Sequence, residues 1–134
     1  MPRRILVVTH GGVAPELVAI ARDLLGNLPA LESLSVTSAD SLETLSASMS
    51  KWAGRLPQRS RGLILTDLRN SSATVAALSL AKKFPVDCVC GVNLPLLLKA
   101  LSSSEPPLDE LIEVGRSGVD VVGRPPARPK SADA

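Results

Sequence analysis

The sequence predicts an α/β fold, a parallel sheet covered by helices, and three observations carry that reading. Short apolar runs alternate with longer segments of helical periodicity, polar residues collect just after several of the runs, and no internal repeat interrupts the series. Arg4-Ile5-Leu6-Val7-Val8-Thr9 is read as a buried first strand. Ala14 to Leu25 follows as a helix, which Gly26 ends as a C-terminal glycine should. Leu34 to Thr37 is a weaker second strand, and Ser41 with Glu43 close behind starts a helix that runs to Gly54. Pro57 to Arg61 is a polar connection. Gly62 to Thr66 forms a third strand, Ser72 to Phe84 a helix, and Val86 to Cys90 a fourth strand. Pro95 sits in the first turn of a helix running to Leu101, and a further helix covers Leu108 to Arg116 after the Pro106-Pro107 break. Val119 to Val122 is read as a short last strand. From Gly123 the chain has no packing residues, so one domain is expected over residues 1–122 and a flexible tail containing Pro and Ala over 123–134.

Composition narrows the class. A chain of 134 residues that is 45% hydrophobic and 21% charged is long enough and apolar enough for one core. Trp52 and Phe84 are its only aromatic residues, so aliphatic side chains must fill that core. No apolar run approaches the roughly 18 to 20 residues that cross a bilayer. The apolar segment after Met1-Pro2-Arg3-Arg4 stops at Thr9-His10, too short for a signal sequence, and a cytoplasmic location is expected. The net charge of +2 comes from scattered basic residues, with neither a basic stripe nor rings to stack bases, which argues against nucleic acid as a partner. Cys88 and Cys90 are read as two buried free thiols.

In open parallel sheets, ligands bind beyond the carboxyl ends of the strands, where the strand order reverses. Three polar clusters fall there: Thr9-His10-Gly11-Gly12, then Thr66-Asp67-Leu68 with Asn70-Ser71-Ser72, then Gly91-Val92-Asn93. A strand order of 2-1-3-4 makes the first and third strands neighbours and sets His10 across a crevice from Asp67. A carboxylate that accepts a hydrogen bond from one ring nitrogen fixes the imidazole tautomer and leaves the other nitrogen ready to attack an electrophile. A phosphoryl group on that nitrogen needs donors, which the amides of Ser71, Ser72 and Ala73 at a helix start supply. Gly11 and Gly12 allow close backbone approach. The scheme calls for no metal and no cofactor. Taken singly, each signal has a plainer reading: Asp67 as a helix cap or Asx turn, Gly11-Gly12 as a tight turn, Asn93-Leu94-Pro95 as a helix start.

Together the clusters resemble one family, the enzyme IIA domains of the mannose-type, phosphoenolpyruvate-dependent sugar phosphotransferase systems. Val7-Val8-Thr9-His10-Gly11-Gly12-Val13-Ala14 is similar to the family's histidine segment, Leu65-Thr66-Asp67-Leu68 to its aspartate segment, and Gly91-Val92-Asn93-Leu94-Pro95-Leu96-Leu97 to its third signature. The resemblance covers roughly residues 4–122. It implies a four-stranded parallel sheet with a short antiparallel fifth strand exchanged between two subunits of a homodimer. It makes His10 the phosphorylated residue of a phosphotransferase component, Asp67 the group that orients it, and Ser72 with its neighbouring amides the phosphate loop. Thr66, Arg69 and Asn93 fall in loop-support or partner-facing positions. The implied donor is a histidine phosphocarrier protein and the implied acceptor an enzyme IIB, with the chain at most peripheral to a membrane transporter. One departure stands out: where the family usually has an aromatic residue followed by Gly-Gly-Ser-Pro, this chain has Arg69-Asn70-Ser71-Ser72-Ala73.

Three functions are therefore expected in order. The first is a phosphohistidine carrier in sugar uptake. The second is a standalone regulator whose His10 phosphorylation state controls a kinase or transcription factor, motivated by the altered loop and by the lack of a IIB domain after the tail. The third is a flavodoxin-like small-ligand domain without phosphotransfer, for which no nucleotide motif speaks.

Overall fold

Four consecutive aliphatic residues, Ile5 to Val8, are each 3% exposed or less, the signature of a central strand covered on both faces. In the computed structural model, which describes residues 3–127, they form the middle of β1 (Arg4–His10). Strand β1 pairs in parallel with β2 (Leu31–Val36) on one side and β3 (Gly62–Thr66) on the other, and β3 pairs in parallel with β4 (Val86–Val89). The order is β2-β1-β3-β4, as the sequence predicts. The described residues also form five helices: α1 (Val13–Leu25), α2 (Leu42–Gly54), α3 (Ser72–Ala81), α4 (Leu94–Ala100) and α5 (Leu108–Ser117).

Successive side chains of a strand point to opposite faces, and the core divides accordingly. Ile5 and Val7 of β1 join Leu63 and Leu65 of β3 on the face covered by α1, α4 and α5. Leu6, Val8 and Ile64 face α2 and α3. Burying each of these large aliphatic side chains stabilises the fold by about 1.5–3 kcal/mol, so the two layers supply the stability that the scarce aromatic residues cannot. Among the described residues, no helix is long and apolar enough to cross a membrane.

Several boundaries differ from expectation, each for a local reason. Strand β2 begins three residues before Leu34, because Leu31 is fully buried and pairs with Ile5. The polar Glu32, Ser33 and Ser35 of this edge strand hide it from a search for apolar runs. The partner of the Ser41 cap on α2 is Thr44, not Glu43: Ser41 Oγ accepts from the Thr44 amide at 3.1 Å, and Thr44 Oγ1 accepts from the Ser41 amide at 2.9 Å. Helix α3 stops at Ala81 instead of Phe84: the Lys82 and Lys83 amides turn back to carbonyls three residues earlier, on Ser79 and Leu80, and Phe84 precedes Pro85. Strand β4 ends at Val89, and Cys88 and Cys90 are free thiols that are partly exposed rather than buried. Burial of the Cys88 thiol within this setting still pushes its pKa up to about 11.

The expected fifth strand over Val119–Val122 does not form. Nothing in the described chain pairs with it, and Val119, Val121 and Val122 are 79%, 57% and 103% exposed. A strand needs a neighbour, and the outer edge of β4 has none among the described residues. Residues 123–127 have no regular structure and are exposed; the rest of the expected tail, 128–134, lies outside the described residues.

Trp52 sets one tight constraint. Its ring lies against the start of β3, where a Cβ added to Gly62 would meet Trp52 Cη2 at 2.7 Å and Val86 Cγ1 at 3.1 Å. Gly62→Ala is therefore expected to lower the unfolding free energy by about 1–3 kcal/mol in urea denaturation. Gly54→Ala, at a position with open space around it, serves as the control and should leave stability unchanged or improved. Equal effects of the two substitutions would show that the Trp52 contact does not restrict this site.

Candidate functional site

Parallel pairing of β1 with β3 sets Val8 opposite Thr66, so the residues just beyond, His10 and Asp67, emerge side by side at the carboxyl end of the sheet. Asp67 Oδ2 accepts two hydrogen bonds from His10, one from the backbone amide at 3.0 Å and one from ring Nδ1 at 2.8 Å. Its other oxygen, Oδ1, accepts from the Leu68 amide at 2.9 Å. Desolvation pushes the Asp67 carboxyl up, but the His10 amide, the His10 ring and the Leu68 amide together outweigh it and hold the group below the usual carboxylate range. Asp67 is thus an ionised acceptor near neutral pH. Facing this acceptor, Nδ1 is the donor, and in the neutral imidazole the lone pair is then on Nε2. The His10 side chain is 58% exposed against 19% for Asp67, so the ring is anchored at one nitrogen and open to solvent.

The backbone around the pair is fixed by a set of hydroxyls, of which only Thr74 lies outside the clusters that the sequence singles out. Thr9, fully buried, accepts the Ala14 amide on Oγ1 at 2.6 Å, satisfying a free N–H of the first turn of α1, where Gly12 has no side chain to do so. Beyond the end of β3, Thr74 Oγ1 in α3 donates to the Leu68 carbonyl at 2.6 Å and lies 2.8 Å from Thr66 Oγ1. Ser71 Oγ donates to the same carbonyl at 2.9 Å and accepts the Thr74 amide at 3.2 Å, capping α3. The Ser-x-x-Thr spacing from Ser71 to Thr74 is the one signal in the sequence that marks this device.

The expected site residues separate into groups. His10 and Asp67 are in contact. Gly11 takes a left-handed φ of +49° and donates to the Val36 carbonyl, turning the chain directly behind the imidazole. Thr66 and Ser71 spend their hydroxyls inside the loop, while Ser72 and Ala73 occupy the first two positions of α3, where no acceptor among the described residues takes their amides. Arg69 makes no ion pair with the carboxylates described; it borders grooves flanking the β4 edge, beside Cys88 and Cys90. Asn93 is a structural cap: Oδ1 accepts the Leu96 amide, and Nδ2 donates to the Gly115 carbonyl at 2.8 Å, tying α4 to α5. The preceding Gly91 and Val92 amides donate to the Asp67 and Thr66 carbonyls, so the third polar cluster supports the second through backbone alone. Among the described residues, no three His, Cys, Asp or Glu side chains gather as a metal site would need.

An open parallel sheet with an imidazole and its carboxylate at the strand-order reversal defines a class of α/β proteins whose chemistry sits at that end of the sheet. Residues 4–114 match the family model EIIA-man, described as the PTS system fructose IIA component, and the chain belongs to this family of phosphotransferase-system IIA components. It is 29% identical to the PTS system mannose-specific EIIAB component of Escherichia coli K12 over 97% of its own length, but spans only 42% of that protein. Among solved structures, the PTS IIA protein associated with the fucose utilization operon of Streptococcus pneumoniae superposes with a TM-score of 0.82 at 25% identity, covering 91% of this chain and 94% of that one. The mannose/sorbose-specific IIA subunit from Enterococcus faecalis gives 0.79 at 26% identity, covering 96% and 100%.

The lowered pKa of Asp67 has a consequence for stability. A carboxyl depressed in the folded state stabilises the fold above its unfolded value near 3.9, and that contribution is lost as pH falls through the lower folded value. The difference in urea midpoint between wild type and Asp67→Asn should therefore be full at pH 7 and shrink below about pH 4. A difference that persists unchanged to pH 2.5 would mean that the carboxylate charge contributes nothing here.

Proposed function

We propose that the chain is a phosphohistidine carrier, accepting a phosphoryl group on His10 from a histidine phosphocarrier protein and passing it to an enzyme IIB during sugar uptake. The observation that carries this reading is the 2.8 Å bond from His10 Nδ1 to Asp67, which leaves Nε2 outward in an exposed ring. In the transfer, the Nε2 lone pair forms a bond to phosphorus as the P–N bond to the donor's histidine breaks, that electron pair returning to the donor imidazole. The Nδ1 proton stays on the Asp67 side, where the carboxylate offsets the positive charge that develops on the phosphorylated ring. The amides of Ser72 and Ala73 and the turn at Gly11 supply hydrogen bonds and room for the phosphoryl oxygens. Onward transfer runs the same step in reverse with a new acceptor. Function of this kind belongs in the cytoplasm, beside a membrane transporter.

The same reading includes a homodimer. Val119 to Val122 leaves α5 exposed and unpaired, Val119 borders a groove along β4, and the outer edge of β4 lacks a partner strand among the described residues. An antiparallel strand donated by a second copy satisfies both.

With phosphoenolpyruvate, enzyme I and the phosphocarrier, wild type should become labelled, His10→Ala should not, and Asp67→Ala should be slowed on the order of 10²-fold. Wild type that stays unlabelled, or His10→Ala labelled to the same extent, would exclude the carrier role. In light scattering, wild type should run at twice the monomer mass and Val121→Asp at the monomer mass. A wild-type monomer at micromolar concentration, or a dimer that tolerates Val121→Asp, would remove the strand-exchange reading.

A further inference from the structure

The spacing Ser-x-x-Thr starts two helices of this chain, and the two threonines do different things. In α2 the pair closes on itself: Thr44 Oγ1 accepts the Ser41 amide at 2.9 Å, and Ser41 Oγ accepts the Thr44 amide at 3.1 Å. In α3 only half of that device forms. Ser71 Oγ accepts the Thr74 amide at 3.2 Å, but the Thr74 hydroxyl leaves the cap and reaches back to the end of β3. It donates to the Leu68 carbonyl at 2.6 Å, which spends its one proton, so Thr66 Oγ1 at 2.8 Å is the donor to it. Thr66 and Leu68 are the two neighbours of Asp67. One hydroxyl therefore pins the chain on both sides of the carboxylate, through a side chain before it and a carbonyl after it. The amide of the pinned Leu68 donates to Asp67 Oδ1 at 2.9 Å, and Asp67 Oδ2 takes the His10 ring at 2.8 Å. Thr66 is buried, so loss of the Thr74 hydroxyl would remove the partner of a buried donor.

From this bridge we infer that Thr74 is a positioning residue for the phosphoryl transfer: it sets Asp67 against His10 and ties the Ser72 and Ala73 amides of its own helix to the same unit. The inference rests on the carrier reading. The Thr74 hydroxyl is spent on Thr66 and Leu68, and it acts on the imidazole only through Asp67. A purely structural threonine at this position would complete the cap, as Thr44 does in α2. Thr74 forgoes that bond and joins the loop after β3 to the start of α3, in a stretch where glycines are lacking. Holding a reacting constellation in place acts on the rate, since displacements of about 1 Å cost on the order of 10²-fold.

Thr74→Val removes the hydroxyl at nearly constant volume, Thr74→Ser keeps it, and Gly62→Ala lowers stability at the other end of β3 without touching the bridge. Burial pushes the Asp67 carboxyl up, and the His10 and Leu68 donors hold it low. In ¹³C NMR of the unphosphorylated chain, the Asp67 titration midpoint should therefore rise in Thr74→Val, where the Leu68 bond is loosened, and return in Thr74→Ser. In transfer from the phosphorylated phosphocarrier, Thr74→Val should lower the rate at saturating donor about tenfold, with the half-saturating donor concentration unchanged. Thr74→Ser should recover most of that rate. Thr66→Val breaks the bridge from its other end and should act in the same direction, which decides the matter if Thr74→Val does not fold. The assignment is overturned by an Asp67 midpoint that stays in place in the folded valine variants, by one that Gly62→Ala moves as far, or by Thr74→Ser behaving like Thr74→Val. Wild type that never accepts a phosphoryl group ends the carrier reading and the role in transfer with it. Labelled wild type with an unmoved Asp67 in Thr74→Val ends the role of Thr74 alone.

Discussion

One carboxylate organises the carboxyl end of this sheet. Asp67 receives the His10 amide and ring on one oxygen and the Leu68 amide on the other, so a single side chain joins the ends of β1 and β3, fixes the imidazole orientation and shapes the turn that follows it. Three N–H donors on a mostly buried carboxylate explain why it remains charged in spite of desolvation. Because the ring is tethered through Nδ1 alone, its other nitrogen is free without being loose. Orientation at one atom and exposure at the next thus meet in one ring.

That contact depends in turn on the packing beneath it. His10 and Asp67 meet because Val8 and Thr66 are in register, and the register is held by β1 and β3 residues that are almost wholly buried on both faces. Slipping either strand by one residue would send Ile5 and Val7 to the side now filled by Leu6 and Val8, exchanging the two core layers. The geometry at the top of the sheet is thus paid for by aliphatic packing in its middle. Thr9 and Thr66 mark the transition: both are buried, and both use their hydroxyls to satisfy backbone or loop groups where the apolar run ends.

Legibility in the sequence tracks this division. β1 and β3 announce themselves because both faces are covered, which produces unbroken apolar runs, and the boundaries of β3 agree to the residue. β2 is an edge strand with alternating polar residues, so its first half escapes a search for such runs. Val119 to Val122 has strand-forming composition but no neighbour among the described residues, and composition cannot supply one. The pairing of His10 with Asp67 was legible once the strand order was assumed, since each follows a strand at a predictable place. The supporting roles of Thr9 and Thr74 were not, because a threonine hydroxyl has many local partners and only coordinates say which it takes. Asn93 shows the opposite outcome: its plain reading as a helix start is what the structure shows.

The Arg69-Asn70-Ser71-Ser72-Ala73 stretch holds its shape without glycine. Loss of glycine matters where the backbone must adopt positive φ, yet the only described non-glycine residues that do so are Arg59 and Glu105. Asn70 therefore follows its turn without the left-handed conformation that glycine would make easy. What closes the loop instead is a pair of hydroxyls, Ser71 and Thr74, both directed at the Leu68 carbonyl, with the Ser71 cap starting α3 in the usual way. The departure consequently leaves the His10–Asp67 contact intact and moves its effect outward. Arg69 places a charge beside the grooves at the β4 edge, so the difference alters the surface there while the imidazole and its carboxylate keep their geometry.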